Sequence, residues 1–221
     1  MGTKERILQE ALLLFAHDGY EGVSIREIAS SVGVTKGAIY RHYPNKQAIF
    51  DSIVSRMEEV ANEEAEKFEV SIEDLNRNEM IKTIKDFTIS QFVFWTENEF
   101  ASNFKKMLII EQFRNTKMAD LLWQYLTGGV VDYTQMFIQE LARMSNHQEV
   151  DVEVLALEYI APLHLIMNLY TNKQDKQRAV NLLEKHIHSF LSVYLSWEEE
   201  TGGDENETVR IDYRSNKRDR A

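Results

Sequence analysis

The stretch "SIREIASSVGVTKGAIYRHYPNKQAI", Ser24 to Ile49, decides the fold. Ser24 and Glu27 have the spacing of a capping box, in which each side chain satisfies the other's orphan backbone amide. Val23 and Ile28 stand at the staple positions around that start. The helix it opens is expected to run to about Ser31, and Gly33 supplies a tight turn. Thr35 then caps a second start, with Val34 and Ile39 as its staple pair. After Tyr43-Pro44, Asn45 caps a longer helix expected to reach about Phe68. Residues 24–43 therefore predict helix, short turn, short helix, each start carrying its own signal. The second of these helices packs on Ile39 and shows Thr35, Lys36, Tyr40, Arg41 and His42 outward, while Gly37 and Ala38 add no bulk. A slim helix with hydrogen-bond donors on its outer face suits insertion into a DNA major groove.

Upstream, Ile7, Ala11, Leu14 and Phe15 form the apolar stripe of a first helix, which Gly19 is expected to end in a left-handed cap. Downstream, helical periodicity continues through Met80–Trp95, Phe100–Phe113, Met118–Met144, Val152–Tyr170 and Ala179–Trp197, and no run alternates as a strand does. The expected fold is all-α. An N-terminal helix-turn-helix domain (residues 1–45) is joined by a long helix to a larger helical domain (46–200). A flexible charged tail (201–221) follows.

The 221 residues carry a net charge of −11, unfavourable for a chain that binds phosphates. The distribution matters more than the sum. Residues 1–50 hold six basic and five acidic residues, whereas the remainder holds 19 basic and 31 acidic. Only the first fifth tolerates DNA. There are no cysteines, which excludes disulfides, thiolate metal sites and Cys nucleophiles. Charged residues at positions 4, 5, 6 and 10 leave no signal-peptide core, and no run approaches a membrane span, so a cytoplasmic location is expected.

The quoted stretch resembles the DNA-binding segment of TetR-type bacterial transcription regulators, over roughly residues 5–50. Tyr43 stands where Phe is common in that family and Asn45 where Ser is common; both keep the chemistry. The resemblance implies phosphate contacts from Thr35, Tyr40 and Lys46. It places Lys36, Gly37, Ala38, Arg41 and His42 at or near base edges. A helix N-terminus favours anions and Arg reads guanine with two parallel hydrogen bonds, so the physics agrees.

The segment Leu155–Tyr170 is apolar nearly all round, so one face can pack on its own core and another on a partner. The last two helices, about 152–172 and 176–198, are expected to form half of a four-helix dimer bundle, as the resemblance also implies. Candidate walls of a ligand cavity are Phe87, Gln91, Phe92, Trp95, Phe104, Phe113, Trp123, Tyr133 and Phe137, with Glu158 and His164 as polar candidates. These aromatics also suit an ordinary core. Gly128-Gly129 in mid-helix costs about 1 kcal/mol per Gly relative to Ala, which calls for close packing, a kink or room for a ligand. Pro162 predicts a kink. Acidic Glu111 and Glu158 point to a cationic, lipophilic effector. No cofactor and no metal site is expected: His186 and His188 are two residues apart and point to different sides of a helix. No histidine follows a Glu by three, and neither a Gly-rich phosphate loop nor a nucleophile elbow occurs, so the chain does not read as an enzyme. The expected function is a ligand-released repressor, a homodimer on a palindromic operator. The alternative is an acidic helical interaction or ligand-binding module without specific DNA binding.

Overall fold

A computed structural model describes residues 2–144, 151–169 and 175–195. The tail of 201–221, and the expected ends of the last two helices at Tyr170 and Trp197, lie outside the described residues. Ten α-helices follow in order: α1 Thr3–Asp18, α2 Ile25–Val32, α3 Lys36–His42, α4 Lys46–Ala65, α5 Arg77–Glu97, α6 Glu99–Glu111, α7 Thr116–Trp123, α8 Gly129–Met144, α9 Val152–Leu169 and α10 Lys176–Leu195. No strand occurs among the described residues.

Local capping accounts for most of the helix starts. Ser24 and Glu27 form the expected box, with the Ser24 amide donating to Glu27 Oε2 at 2.7 Å. Thr35 Oγ1 accepts from the Ala38 amide at 3.2 Å, and Asn45 Oδ1 from the Ala48 amide at 2.8 Å. A second capping box, Asn76 with Glu79, opens α5 three residues before the expected start at Met80. α4 ends at Ala65 rather than Phe68, the chain tightening into a 3-10 turn over Glu66–Phe68. Its 20 residues still span about 30 Å.

Three expectations are corrected. Gly19 is not in the left-handed helical region: its φ of 77° with ψ of 158° is extended backbone of inverted hand, while its amide still closes α1 on the Phe15 carbonyl. The single helix expected over Met118–Met144 is broken by a π-turn at Gln124–Gly128 between α7 and α8. And α9, whose mean hydropathy over 18 residues is 1.4, is by length and composition apolar enough to cross a membrane, contrary to expectation. Its apolarity has the source the sequence suggests. Leu155, Tyr159, Ile160, Leu163 and Ile166 are buried against the chain's own helices, while Val154, Leu157, Leu165 and Leu169 face outward. Pro162 sits within α9 without ending it.

The two ends of the chain share one core. α1, α2 and α3 close over Ile7, Phe15, Ile28 and Ile39, and α4 adds Ile49, Phe50 and Ile53. The same cluster continues into Phe92, Phe104 and Phe137 of the larger helical unit. α1 packs along α6, so the N-terminal helices rest on the middle ones as well as on the connecting α4.

Candidate nucleic-acid interface

α3 has seven residues and buries only Ile39. With Val34 half-buried and Tyr43 buried beside it, this anchor turns the opposite side of the helix to solvent. Thr35, Lys36, Gly37, Tyr40, Arg41 and His42 are all exposed, and Ala38 is half-buried. Lys36 Nζ lies 5.6 Å from the centre of the Tyr40 ring, grouping a cation and a hydroxyl at the helix start. Between Glu27 and Asp51 the chain carries three basic residues and no acidic one, so this face is positive within an acidic protein. Gly37 is informative. A Cβ there would meet nothing closer than the Thr35 hydroxyl at 3.9 Å, so nothing inside the fold requires a glycine.

Lys46 is placed differently from the other candidates. Its ammonium donates to the carbonyls of Tyr20 at 2.7 Å and Val23 at 3.1 Å, and lies 4.3 Å from the centre of the Tyr20 ring. It therefore ties the start of α4 to the loop between α1 and α2. Sequence reasoning missed this tie because its partners are backbone atoms more than twenty residues away. Arg6 does the same between α1 and the end of α2, donating to the Val32 carbonyl at 2.7 Å.

Residues 7–53 match the model of the bacterial regulatory proteins of the tetR family. Those residues are a TetR-family DNA-binding segment. The chain is a DNA-binding transcriptional regulator. Over 197 residues it is 21% identical to the biofilm operon icaADBC HTH-type negative transcriptional regulator IcaR of Staphylococcus aureus, covering 87% of this chain and 98% of that protein. Its fold matches a TetR transcriptional regulator from Chloroflexus aurantiacus with a TM-score of 0.62 at 20% identity, covering 87% and 96% of the two chains. It also matches the transcriptional regulator FadR of Bacillus subtilis, solved in complex with stearoyl-CoA, with a TM-score of 0.58 at 16% identity, covering 85% and 97%.

The residues expected to wall a ligand cavity are not assembled around one. Phe87, Phe92, Trp95, Phe104 and Phe137 are buried as core. The Phe87, Tyr133 and Phe137 rings stack in a row, with centroids 4.2 and 5.0 Å apart, and Tyr133 donates to the Phe68 carbonyl at 3.0 Å. Burial raises the Tyr133 phenol to about 12. Gln91 accepts from the Trp95 indole at 3.1 Å. Phe113 is 88% exposed beyond the end of α6 and Trp123 63% exposed on α7, so neither walls a cavity. Trp123 instead explains Gly128, where a Cβ would lie 2.5 Å from its ring, so this glycine serves close packing at the π-turn; a Cβ on Gly129 would meet only the Gln124 carbonyl oxygen, at 3.4 Å.

Neither acid marks a cationic ligand among the middle helices. Glu158 is exposed on the outer side of α9 and accepts a hydrogen bond from Tyr194 of α10, which with the carboxylate charge raises the Tyr194 phenol. Glu111, only 1% exposed, lies under the α1–α2 turn and accepts from the Glu21 amide at 3.4 Å. Glu158 lines an open groove of about 680 Å³ between α9 and α10, outside the middle helices, and His164 borders a cavity of about 180 Å³ between α6, the π-turn and α9. Its Nε2 donates to the Leu126 carbonyl. A π-turn shifts the usual helical pairing, and such turns are frequent at functional sites. The other lining residues include Lys105, Leu122, Leu126 and Met167, none of which the aromatic pattern indicated.

Proposed function

We propose that the chain is a homodimeric repressor whose two α3 helices read a palindromic operator and which a small-molecule effector releases. Residues 1–45 form the reading unit and 46–200 the effector and dimerisation unit. The observation that carries the proposal is the capped α3 itself: one buried anchor, an acid-free outer face, and a glycine that the fold does not need. Thr35 and Tyr40 contact phosphates, and Lys36, Arg41 and His42 approach base edges with Gly37 and Ala38 leaving room. Lys46 holds the α1–α2 loop in place while presenting its remaining donor to the DNA backbone.

So short a helix reaches few bases, so two copies about one helical turn apart, roughly 34 Å, are needed for a specific site. The partner face is supported by exposed apolar side chains on α9 and α10. Leu165 is 60% exposed, Leu169 63% and Val193 69%, an arrangement that a monomer leaves in water. Release is supported by the way α6 joins the units. It packs along α1 and sets Glu111 beneath the α1–α2 turn, while its middle borders the cavity. An effector acts only if it prefers the non-binding arrangement; equal affinity for both shifts nothing. The FadR neighbour solved with stearoyl-CoA is a precedent for a bound small molecule in this fold.

Sequencing the DNA fragments that co-purify with the protein, followed by gel shifts on them, tests the reading. A footprint of two half-sites, abolished by Leu165→Glu together with dimerisation, is the expected result. Tight binding by a Leu165→Glu monomer would refute the dimeric mode. Failure of the wild type to retard any enriched fragment would favour the acidic interaction module instead.

A further inference from the structure

The cavity between α6, the π-turn and α9 contains an unaccompanied cation. Lys105 is 9% exposed, and among the described residues it has neither a hydrogen bond nor an ion pair. Burial pulls its ammonium down to about 8, with the charge of neighbouring Lys106 adding to the effect. No acidic residue lines the cavity. A cation taken from water without a counter-charge is unfavourable, and a buried, partnerless titratable group in a cleft is a candidate for ligand binding. The rest of the lining is largely apolar, from Ile109, Leu122, Leu126 and Met167, with His164 already engaged by the Leu126 carbonyl. At about 180 Å³, the space corresponds to roughly six waters at about 30 Å³ each, enough for an anionic head and a short apolar segment.

We propose that this cavity seats the effector and that the effector is an organic monocarboxylate, its carboxylate on Lys105 Nζ and its apolar body against Leu122, Leu126 and Met167. The proposal rests on the ligand-release reading above and reverses the charge that Glu111 and Glu158 suggest from sequence. Both of those carboxylates face away from this cavity's lining, whereas Lys105 belongs to it. Lys105 also stands six residues before Glu111 on α6, about 9 Å along the axis, so the seat and the contact with the α1–α2 turn share one rigid element.

The test uses the full chain and three matched probe sets: benzoate and hexanoate, their neutral amides, and the corresponding amines. Calorimetric titration is run on wild type, Lys105→Met and Lys105→Arg, with gel shifts on the operator fragment alongside. Wild type is expected to bind the carboxylates and neither comparison set. Lys105→Met should weaken carboxylate binding about ten- to a hundred-fold, the size of a lost charge-assisted hydrogen bond. Lys105→Arg should retain it within a few-fold. Without any ligand, Lys105→Met should melt at a higher temperature than wild type, because a lone buried cation has been removed. Lys105→Gln repeats the binding comparison should the Met variant misfold. Equal carboxylate binding by wild type and the uncharged variants overturns the proposal, as does binding of amides or amines as tight as that of the acids, or no carboxylate binding at all. Operator release by an amide or amine alone would sink the anion assignment and leave ligand release standing. Carboxylate binding through Lys105 without operator release would uphold the site and sink ligand release.

Discussion

Replacing Gly19 by Ala probes the junction between the two units. Gly19 has φ 77° and ψ 158°, a region essentially restricted to glycine, where a side chain adds strain of about 1–3 kcal/mol. The new Cβ would also lie 2.5 Å from Glu111 Oε1, a separation that real Cβ atoms do not show. The carboxylate must then leave the Glu21 amide, although it is 1% exposed and its Oε2 has no hydrogen-bond partner. Disturbing a buried charged acceptor adds about 1–3 kcal/mol, and because relaxation is shared the expected total is about 2–4 kcal/mol. For a chain of this size each kcal/mol lowers Tm by about 2–4 °C, so the drop should be on the order of 10 °C. Urea unfolding by circular dichroism, at one fixed protein concentration so that the proposed dimerisation is held constant, provides the measurement. In a Glu111→Ala background the collision disappears and only backbone strain remains, so the same substitution should cost about 1–3 kcal/mol. A Gly19→Ala protein within about 0.5 kcal/mol of wild type, the usual scatter of surface substitutions, would refute the backbone argument. Identical costs in both backgrounds would refute the Glu111 contact.

Arg41→Ala should remove about 1–3 kcal/mol of discrimination at one base position, seen as a flattened preference there in a binding-site selection. Lys46→Ala should both weaken operator binding and lower Tm, because it frees the Tyr20 and Val23 carbonyls, whereas Tyr40→Phe should weaken binding at unchanged Tm; gel shifts paired with melts separate the two. The hydrogen bonds from the Ser24 amide and hydroxyl hold the Glu27 carboxyl below its ordinary value. That contribution is fully present above the unfolded carboxylate range and is lost as pH falls through the lowered folded value. The stability gap between wild type and Glu27→Gln should therefore close on acidification, and a gap that persists at low pH would contradict the assignment. Gly128→Ala must push the Trp123 ring aside and should change its fluorescence, a readout complicated only by Trp95 and Trp197.

The helix-turn-helix was legible in the sequence because its determinants are local. Ser24 with Glu27, Thr35 with Ala38, and Asn45 with Ala48 each act across three residues, so order along the chain is enough to recognise them. The outward face of α3 followed from one apolar residue, Ile39, at helical spacing from its neighbours. The cavity was not legible in this way, because a cavity is the space left after distant helices have packed. The aromatics from Phe87 to Phe137 met each other and closed their own gaps, while Lys105 was carried inward between Ala101 and Leu108 on the buried side of α6. A faint signal existed in that register, since a lysine four residues after a buried alanine and three before a buried leucine lies on the same helix face. What it faces there, an apolar space with no acid, depends on α9 and the π-turn, more than fifteen residues away in sequence. Lys46 and Glu111 are of the same kind. Charge and helical phase set their positions along the chain, but only the docking of α1 on α4 and α6 decided that each is spent on the α1–α2 loop rather than in solvent.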